Sequence, residues 1–221
     1  MADDRIRKRV AVLISGRGSN MAALIEAAKE PDYPAEIALV LSNRADAAGL
    51  ALAEGARVPT SVLDHRPYGR DRAAFERALQ AILDEQRIEL ICLGGFMRLF
   101  TQDFVLRWQG RMLNIHPALL PSFRGLDPHR QALQAGVKIT GATVHFVTPE
   151  MDAGPIILQA AVPVHDDDTA GTLSERVLDV EHRIYVLALR MVAEDRVRIV
   201  DGRCRIDQSQ PAGEALINPE S

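Results

Sequence analysis

The chain has 221 residues, 47% of them hydrophobic, with 26 basic and 30 acidic side chains and a net charge of −4. That is ample apolar material for a two-sided sheet core, and the charge balance argues against a general nucleic-acid or membrane-surface binder while leaving room for a local phosphate pocket. No segment approaches the ~20 apolar residues that span a bilayer, and Cys92 and Cys204 carry neither metal spacing nor a disulfide framework, so a cytoplasmic chain is expected. The basic start, Arg5 to Arg9, resembles the front of a signal peptide, but the apolar run behind it ends at Gly16 and lacks a cleavage pattern.

In chain order, Arg9 to Ile14 reads as a buried first strand, followed by Gly16-Arg17-Gly18-Ser19-Asn20 and a helix with Met21, Leu24, Ile25 and Ala28 inward. Ile37 to Leu41 is the second strand, Ala45 to Glu54 a helix and Pro59 to Leu63 the third strand. Arg70 to Gln86 reads as an amphipathic helix with Ala74, Leu79, Ile82 and Leu83 inward, before strands at Leu90 to Leu93 and Met112 to Ile115. This alternation predicts an α/β fold: a mostly parallel, twisted, Rossmann-like sheet with helices on both faces. From Thr140 the rhythm changes, with strands at Ala142 to Val147 and Ile156 to Val164 as an antiparallel element toward the C-terminus. A helix from about Thr172 to Val192 then carries the stripe Leu173, Val177, Val180, Ile184, Leu187 and Met191. Asp201-Gly202 predicts a two-residue hairpin turn between Arg196–Val200 and Arg203–Ile206. One domain over 1–207 is expected, with a loosely ordered tail over 208–221.

Two stretches carry chemistry. In Leu113-Asn114-Ile115-His116-Pro117 the alternation of a strand puts an amide and an imidazole on one face, and Pro117 ends the strand. An imidazole moves protons near neutral pH and an amide can hold a developing oxyanion, so the pair suggests chemistry at a carbonyl. The Gly16–Asn20 turn can cradle an anion at a helix start, with Ser19 and Asn20 adding hydrogen bonds and capping the helix. The dinucleotide fingerprint needs a glycine where Met21 stands and an acid where Ser42-Asn43-Arg44 stands, which disfavours NAD; the P-loop lysine and hydroxyl pair are missing too, leaving a monophosphate ester or a plain turn. His65, His129, His145, His165 and His182 read as surface or packing histidines, Asp166-Asp167-Asp168 as a solvated loop, and no metal cluster is expected.

With Val12–Asn20, Gly95-Phe96-Met97-Arg98, Asn114-Ile115-His116-Pro117, Leu119-Leu120-Pro121, Thr143–Val147 and Asp152-Ala153-Gly154-Pro155 in view, the chain resembles the phosphoribosylglycinamide formyltransferase family from about Val10 to Met191. The resemblance implies a formyltransferase fold. It also implies a purine-synthesis reaction in which the amine of glycinamide ribonucleotide takes the formyl group of 10-formyltetrahydrofolate, a co-substrate, without a metal. It implies His116 as general acid facing the oxyanion, Asn114 as a donor to it, and Asp152 beside His116, holding its proton by charge attraction and relaying the amine proton. Gly18, Ser19 and Asn20 would take the phosphate, and Glu181, bordering the buried stripe, the ribose. Met97, Arg98, Leu99 and Phe100 with Thr148, Pro149, Glu150, Met151 and Asp152, and Asn114 beside them, would bind the folate, with Arg72 or Arg70 near its tail. Small-molecule partners are expected, with no nucleic acid or membrane, in a monomer or homodimer. One departure stands out: where the family commonly reads Gly-Leu-His-x-His, the chain reads Gly125-Leu126-Asp127-Pro128-His129, with Pro128 stiffening a folate-side loop. A formyltetrahydrofolate hydrolase would use the same Asn, His and Asp with water, though usually behind an extra N-terminal domain. A phosphate-binding module would need the glycine loop alone, and a methionyl-tRNA formyltransferase a further C-terminal domain and more positive charge.

Overall fold

The protein is seen in a computed structural model that describes residues 7–207, 216 and 218. The tail expected over 208–221 lies outside the described residues apart from 216 and 218. Two compact units, Met1–Asn114 and Ile115–Ser221, divide the chain within one strand.

The first unit strings together β1 (Lys8–Ile14), α1 (Ser19–Ala27), β2 (Ala35–Ser42), α2 (Ala48–Gly55), β3 (Thr60–Val62), α3 (Arg72–Glu85), β4 (Leu90–Gly94), α4 (Gln102–Arg107) and β5 (Met112–His116). Its strands lie in the order β3-β2-β1-β4-β5, every neighbouring pair parallel. Val10 to Ile14 are all 0% exposed, and since consecutive residues point to opposite faces, both faces of β1 are covered. That burial explains why the strand is a continuous apolar run rather than an alternating one.

The helix α3 departs from its predicted face. Leu79 and Leu83 are buried as expected, but Phe75, Glu76 and Gln80 are buried with them, while Ala74 and Ile82 are only half-buried. The two polar residues are sheltered because they hold the start and end of α4. Glu76 Oε1 accepts from Thr101 N at 2.6 Å, and Gln80 Oε1 accepts from the Trp108 indole N–H at 2.9 Å. Sequence periodicity misses α4 because six residues are too few to show a helical repeat.

In the second unit, α5 (Pro128–Ala135) precedes β6 (Ile139–Phe146), which pairs antiparallel with β7 (Ile156–Pro163); α6 (Ala170–Ala193) and the hairpin β8 (Val197–Val200) and β9 (Arg203–Ile206) follow. Asp201 and Gly202 have φ 50° and 73°, the left-handed pair that a tight hairpin turn requires. Pro128, expected in a loop, is the first residue of α5, where its missing N–H costs nothing.

The α6 stripe is rotated from its predicted place. Leu173, Val177 and Ile184 are buried, but so are Glu181, Tyr185, Ala188, Leu189 and Val192, whereas Leu187 is 48% exposed. The predicted steps of four, three, four, three and four average 3.6 residues, so the period holds, but following apolar residues alone carries the stripe to Val180, Leu187 and Met191, each one position before the buried Glu181, Ala188 and Val192. Glu181 consequently sits inside the buried stripe rather than at its border. Thr169 caps the helix through a reciprocal box with Thr172. Asp168 is not solvated as expected: its side chain is only 3% exposed and takes two hydrogen bonds from Arg176. Those bonds hold its carboxyl well below the usual range.

Candidate active site

Asn114 and His116 share one face of β5, two residues apart at its carboxyl end. His116 is 5% exposed. Its Nε2 lies 2.8 Å from the carbonyl of Phe123, which can only accept, so Nε2 carries the proton there. That leaves Nδ1 facing the carboxylate of Asp152, with 3.4 Å to Oδ2.

Asp152 reaches this position through its own turn. It adopts φ 50°, which aspartate tolerates better than most residues, and its Oδ2 accepts from Gly125 N at 2.9 Å. Gly154 explains the spacing of Asp-Ala-Gly-Pro: a Cβ there would lie 1.8 Å from the Phe146 carbonyl, so only glycine lets the turn fold back onto the end of β6. The other carboxylate oxygen is 3.8 Å from His145 Nε2. Burial pushes the His145 imidazole below its usual pKa, against the opposing pull of its hydrogen bond to Phe146 O and of Asp152. Nδ1–H of His145 donates to that carbonyl at 2.9 Å, so the neutral ring presents a bare Nε2 to Asp152. One carboxylate thus stands between two imidazoles.

The segment after His116 is pinned by Thr143 and Gln159. The Thr143 hydroxyl donates to Ala118 O at 2.7 Å and accepts from Leu120 N at 3.0 Å, while Gln159 Nε2 donates to Leu120 O at 2.9 Å. These bonds satisfy a buried irregular segment and fix the chain leaving β5.

In the first unit, the glycine turn runs from the end of β1 into α1. Gly18, at φ 74°, is the N-cap of α1 and no side chain caps the helix, so Ser19 and Asn20 lie inside the first turn instead of capping it as expected. The backbone N–H groups of that turn remain the feature suited to an anion. Ser15 secures the start of the turn: its hydroxyl donates to Asn43 Oδ1 at 2.5 Å and accepts from Met97 N at 2.8 Å. Asn43, standing where a dinucleotide fold would place an acid, is 2% exposed. Beyond β4, Phe96, Phe100 and Phe104 stack at centroid spacings of 5.5 and 4.7 Å, and the Arg98 guanidinium lies over the Phe75 ring. Met97 and Leu99 are 67% and 62% exposed. Among the described residues no cluster of His, Cys, Asp or Glu is arranged to hold a metal ion, and no helix is long and apolar enough to cross a membrane.

The Formyl transferase family profile matches residues 8–189. The chain belongs to the formyl transferase family. It is 41% identical over 198 residues to the phosphoribosylglycinamide formyltransferase of Escherichia coli (strain K12), an alignment covering 90% of this chain and 93% of that one. It is 52% identical over 196 residues to the trifunctional purine biosynthetic protein adenosine-3 of Homo sapiens, of whose length it spans 19%. Among solved structures, glycinamide ribonucleotide transformylase 1 from Symbiobacterium toebii superposes with a TM-score of 0.87 at 48% identity, covering 90% of this chain and 94% of that one.

In this formyl transferase the structure brings His116 and Asp152 together and puts Asn114 on the face of His116. Gly18, Ser19 and Asn20 lie in one turn, Met97 to Phe100 in one segment with Met97 and Leu99 exposed and Arg98 and Phe100 half-buried, and Glu181 is buried on α6. Thr148 to Met151 form the turn leading into Asp152, where Thr148 Oγ1 donates to Glu150 O at 3.1 Å. Arg72 opens α3 and Arg70 precedes it, both exposed. His145 is the residue that sequence reasoning assigned to the surface or to packing and that the structure sets against the Asp152 carboxylate; its place seven residues before Asp152 gives no periodic signal.

Proposed function

We propose that this chain transfers the formyl group of 10-formyltetrahydrofolate to the primary amine of glycinamide ribonucleotide, giving formylglycinamide ribonucleotide and tetrahydrofolate for purine synthesis. The observation that carries the reading is the buried His116–Asp152 pair at the carboxyl end of β5, with Asn114 on the same strand face. The amine nitrogen attacks the formyl carbon, and the carbonyl π electrons move to oxygen. Asn114 and the Nε2–H of His116 supply donors to that oxyanion, the latter exchanging the Phe123 carbonyl for the substrate. As the tetrahedral intermediate collapses, the bond from carbon to the folate N10 breaks. The amine gives up a proton, N10 gains one, and the His116–Asp152 pair relays between them.

The phosphate would rest on Gly18, Ser19 and Asn20, and Glu181 would bind the ribose. Met97, Arg98, Leu99 and Phe100 with Thr148 to Asp152 would receive the folate, whose acidic tail would meet Arg72 or Arg70. Residues 1–207 serve this reaction as one functional domain. The test is to follow the folate product by absorbance with and without glycinamide ribonucleotide. Turnover only with the amine supports transfer; equal turnover in its absence indicates hydrolysis.

A further inference from the structure

We infer that Gly49, the second residue of α2, sets the position of the Gly16–Gly18 turn and so acts as a positioning residue for the ribonucleotide. The inference rests on the reading of that turn as the phosphate site. Three contacts converge on this one residue. Gly49 N donates to Gly16 O at 3.0 Å. A Cβ on Gly49 would lie 3.2 Å from both Gly16 O and Gly18 Cα, and 2.6 Å from Ile14 Cδ1. A Cβ on Gly18 would in turn lie 3.0 Å from Gly49 Cα. Two backbones therefore meet here with no side chain between them, an approach that only glycine permits.

The neighbours respond differently to an added methyl group. Ile14 Cδ1 is the far end of a flexible side chain and can rotate away. Gly16 O and Gly18 Cα are backbone, already bonded to α2 through Gly49 N, and can give way only if the turn itself moves by a few tenths of an ångström. Gly16 itself is open on its own Cβ side, with nothing within 4 Å, so the turn has room to be pushed without the core repacking. Hydrogen bonds from the backbone to a phosphate are directional and charge-assisted, so a shift of that size weakens them. The Met97 segment is tied to the Ser15 hydroxyl, before the part of the turn that Gly49 touches, so the push falls on Gly16 and Gly18 first.

The experiment uses the full chain carrying Gly49→Ala together with Ile14→Val, which removes the Cδ1 clash and isolates the push on the turn. Ile14→Val alone is the control. Steady-state kinetics in each substrate should show the Michaelis constant for glycinamide ribonucleotide raised about 10-fold over the control, the scale of one weakened charge-assisted hydrogen bond. Turnover at saturation and the Michaelis constant for 10-formyltetrahydrofolate should stay within about 2-fold, the split that a merely structural defect would not produce. An unchanged ribonucleotide constant overturns the inference, as do equal changes for both substrates. Loss of circular dichroism signal in the double variant would also overturn it, by making Gly49 a folding position. If the unmodified protein fails to turn over glycinamide ribonucleotide at all, the phosphate reading fails and the inference falls with it.

Discussion

Replacing Asp152 by asparagine tests the proposed role of the His116–Asp152 pair with little change of shape. The amide oxygen can still accept from Gly125 N, and the amide nitrogen can face the bare Nε2 of His145, so the turn should survive. What disappears is the charge 3.4 Å from His116 Nδ1. At that distance and an effective dielectric of about 20, an imidazolium and a carboxylate attract by about 5 kcal/mol. Desolvating two groups this enclosed offsets part of that. A net loss of about 2–3 kcal/mol of that attraction in the transition state, where His116 is charged while it passes on the amine proton, corresponds to about 30- to 150-fold in rate. Losing the relay adds to it, so turnover at saturating substrates should fall by at least about 100-fold at neutral pH. The assay is initial-rate absorbance of the folate product, paired with a thermal melt that should move by no more than about 3 °C, or about 1 kcal/mol for a chain this size. A fall of less than about 5-fold with an unchanged melt would show that Asp152 only shapes the turn.

Gly16→Ala should keep the melting temperature, since its Cβ meets nothing within 4 Å, while raising the ribonucleotide Michaelis constant selectively; Gly18 is a poorer probe because φ 74° and Gly49 confound it. A folate constant that rose equally would count against the phosphate site. On α6, Leu189→Ala should cost about 3 kcal/mol in denaturant unfolding and Leu187→Ala less than about 1 kcal/mol; equal costs would mean the helix does not present the face described. Asp168, depressed first by its Arg176 hydrogen bonds, contributes stability that is present above the ordinary carboxylate value near ~4 and lost as pH falls toward its lower folded value. The unmodified protein should therefore lose melting temperature on acidification below about pH 4 more steeply than Asp168→Asn; parallel acid limbs would exclude this pair as a source.

Much of the first unit was legible because its physics is local. A strand buried on both faces reads as an unbroken apolar run, as Val10 to Ile14 does, and glycine or proline marks where β1, β4 and β5 stop. The hairpin turn at Asp201-Gly202 was legible for the same reason. Residues held by distant partners were not. Glu76 and Gln80 look like solvent-facing helix positions until Thr101 and Trp108 are seen against them, and Asp168 looks solvated until Arg176 closes over it. At the site, the alternation of a strand gave Asn114 and His116 one face, and the motif gave Asp152. No spacing rule announces that His145 shares Asp152 or that the Phe123 carbonyl holds Nε2, since both depend on how a turn folds back. The stripe on α6 was found but rotated, because apolar type alone selected Val180, Leu187 and Met191 over the buried Glu181, Ala188 and Val192 beside them.

The most direct measurement of the central claim follows the formyl carbon itself. With 10-formyltetrahydrofolate labelled in the formyl group and glycinamide ribonucleotide present, one label per tetrahydrofolate formed should be recovered in formylglycinamide ribonucleotide, and none should be released when the ribonucleotide is withheld. Label recovered as formate, at the same rate with or without the ribonucleotide, would contradict the account.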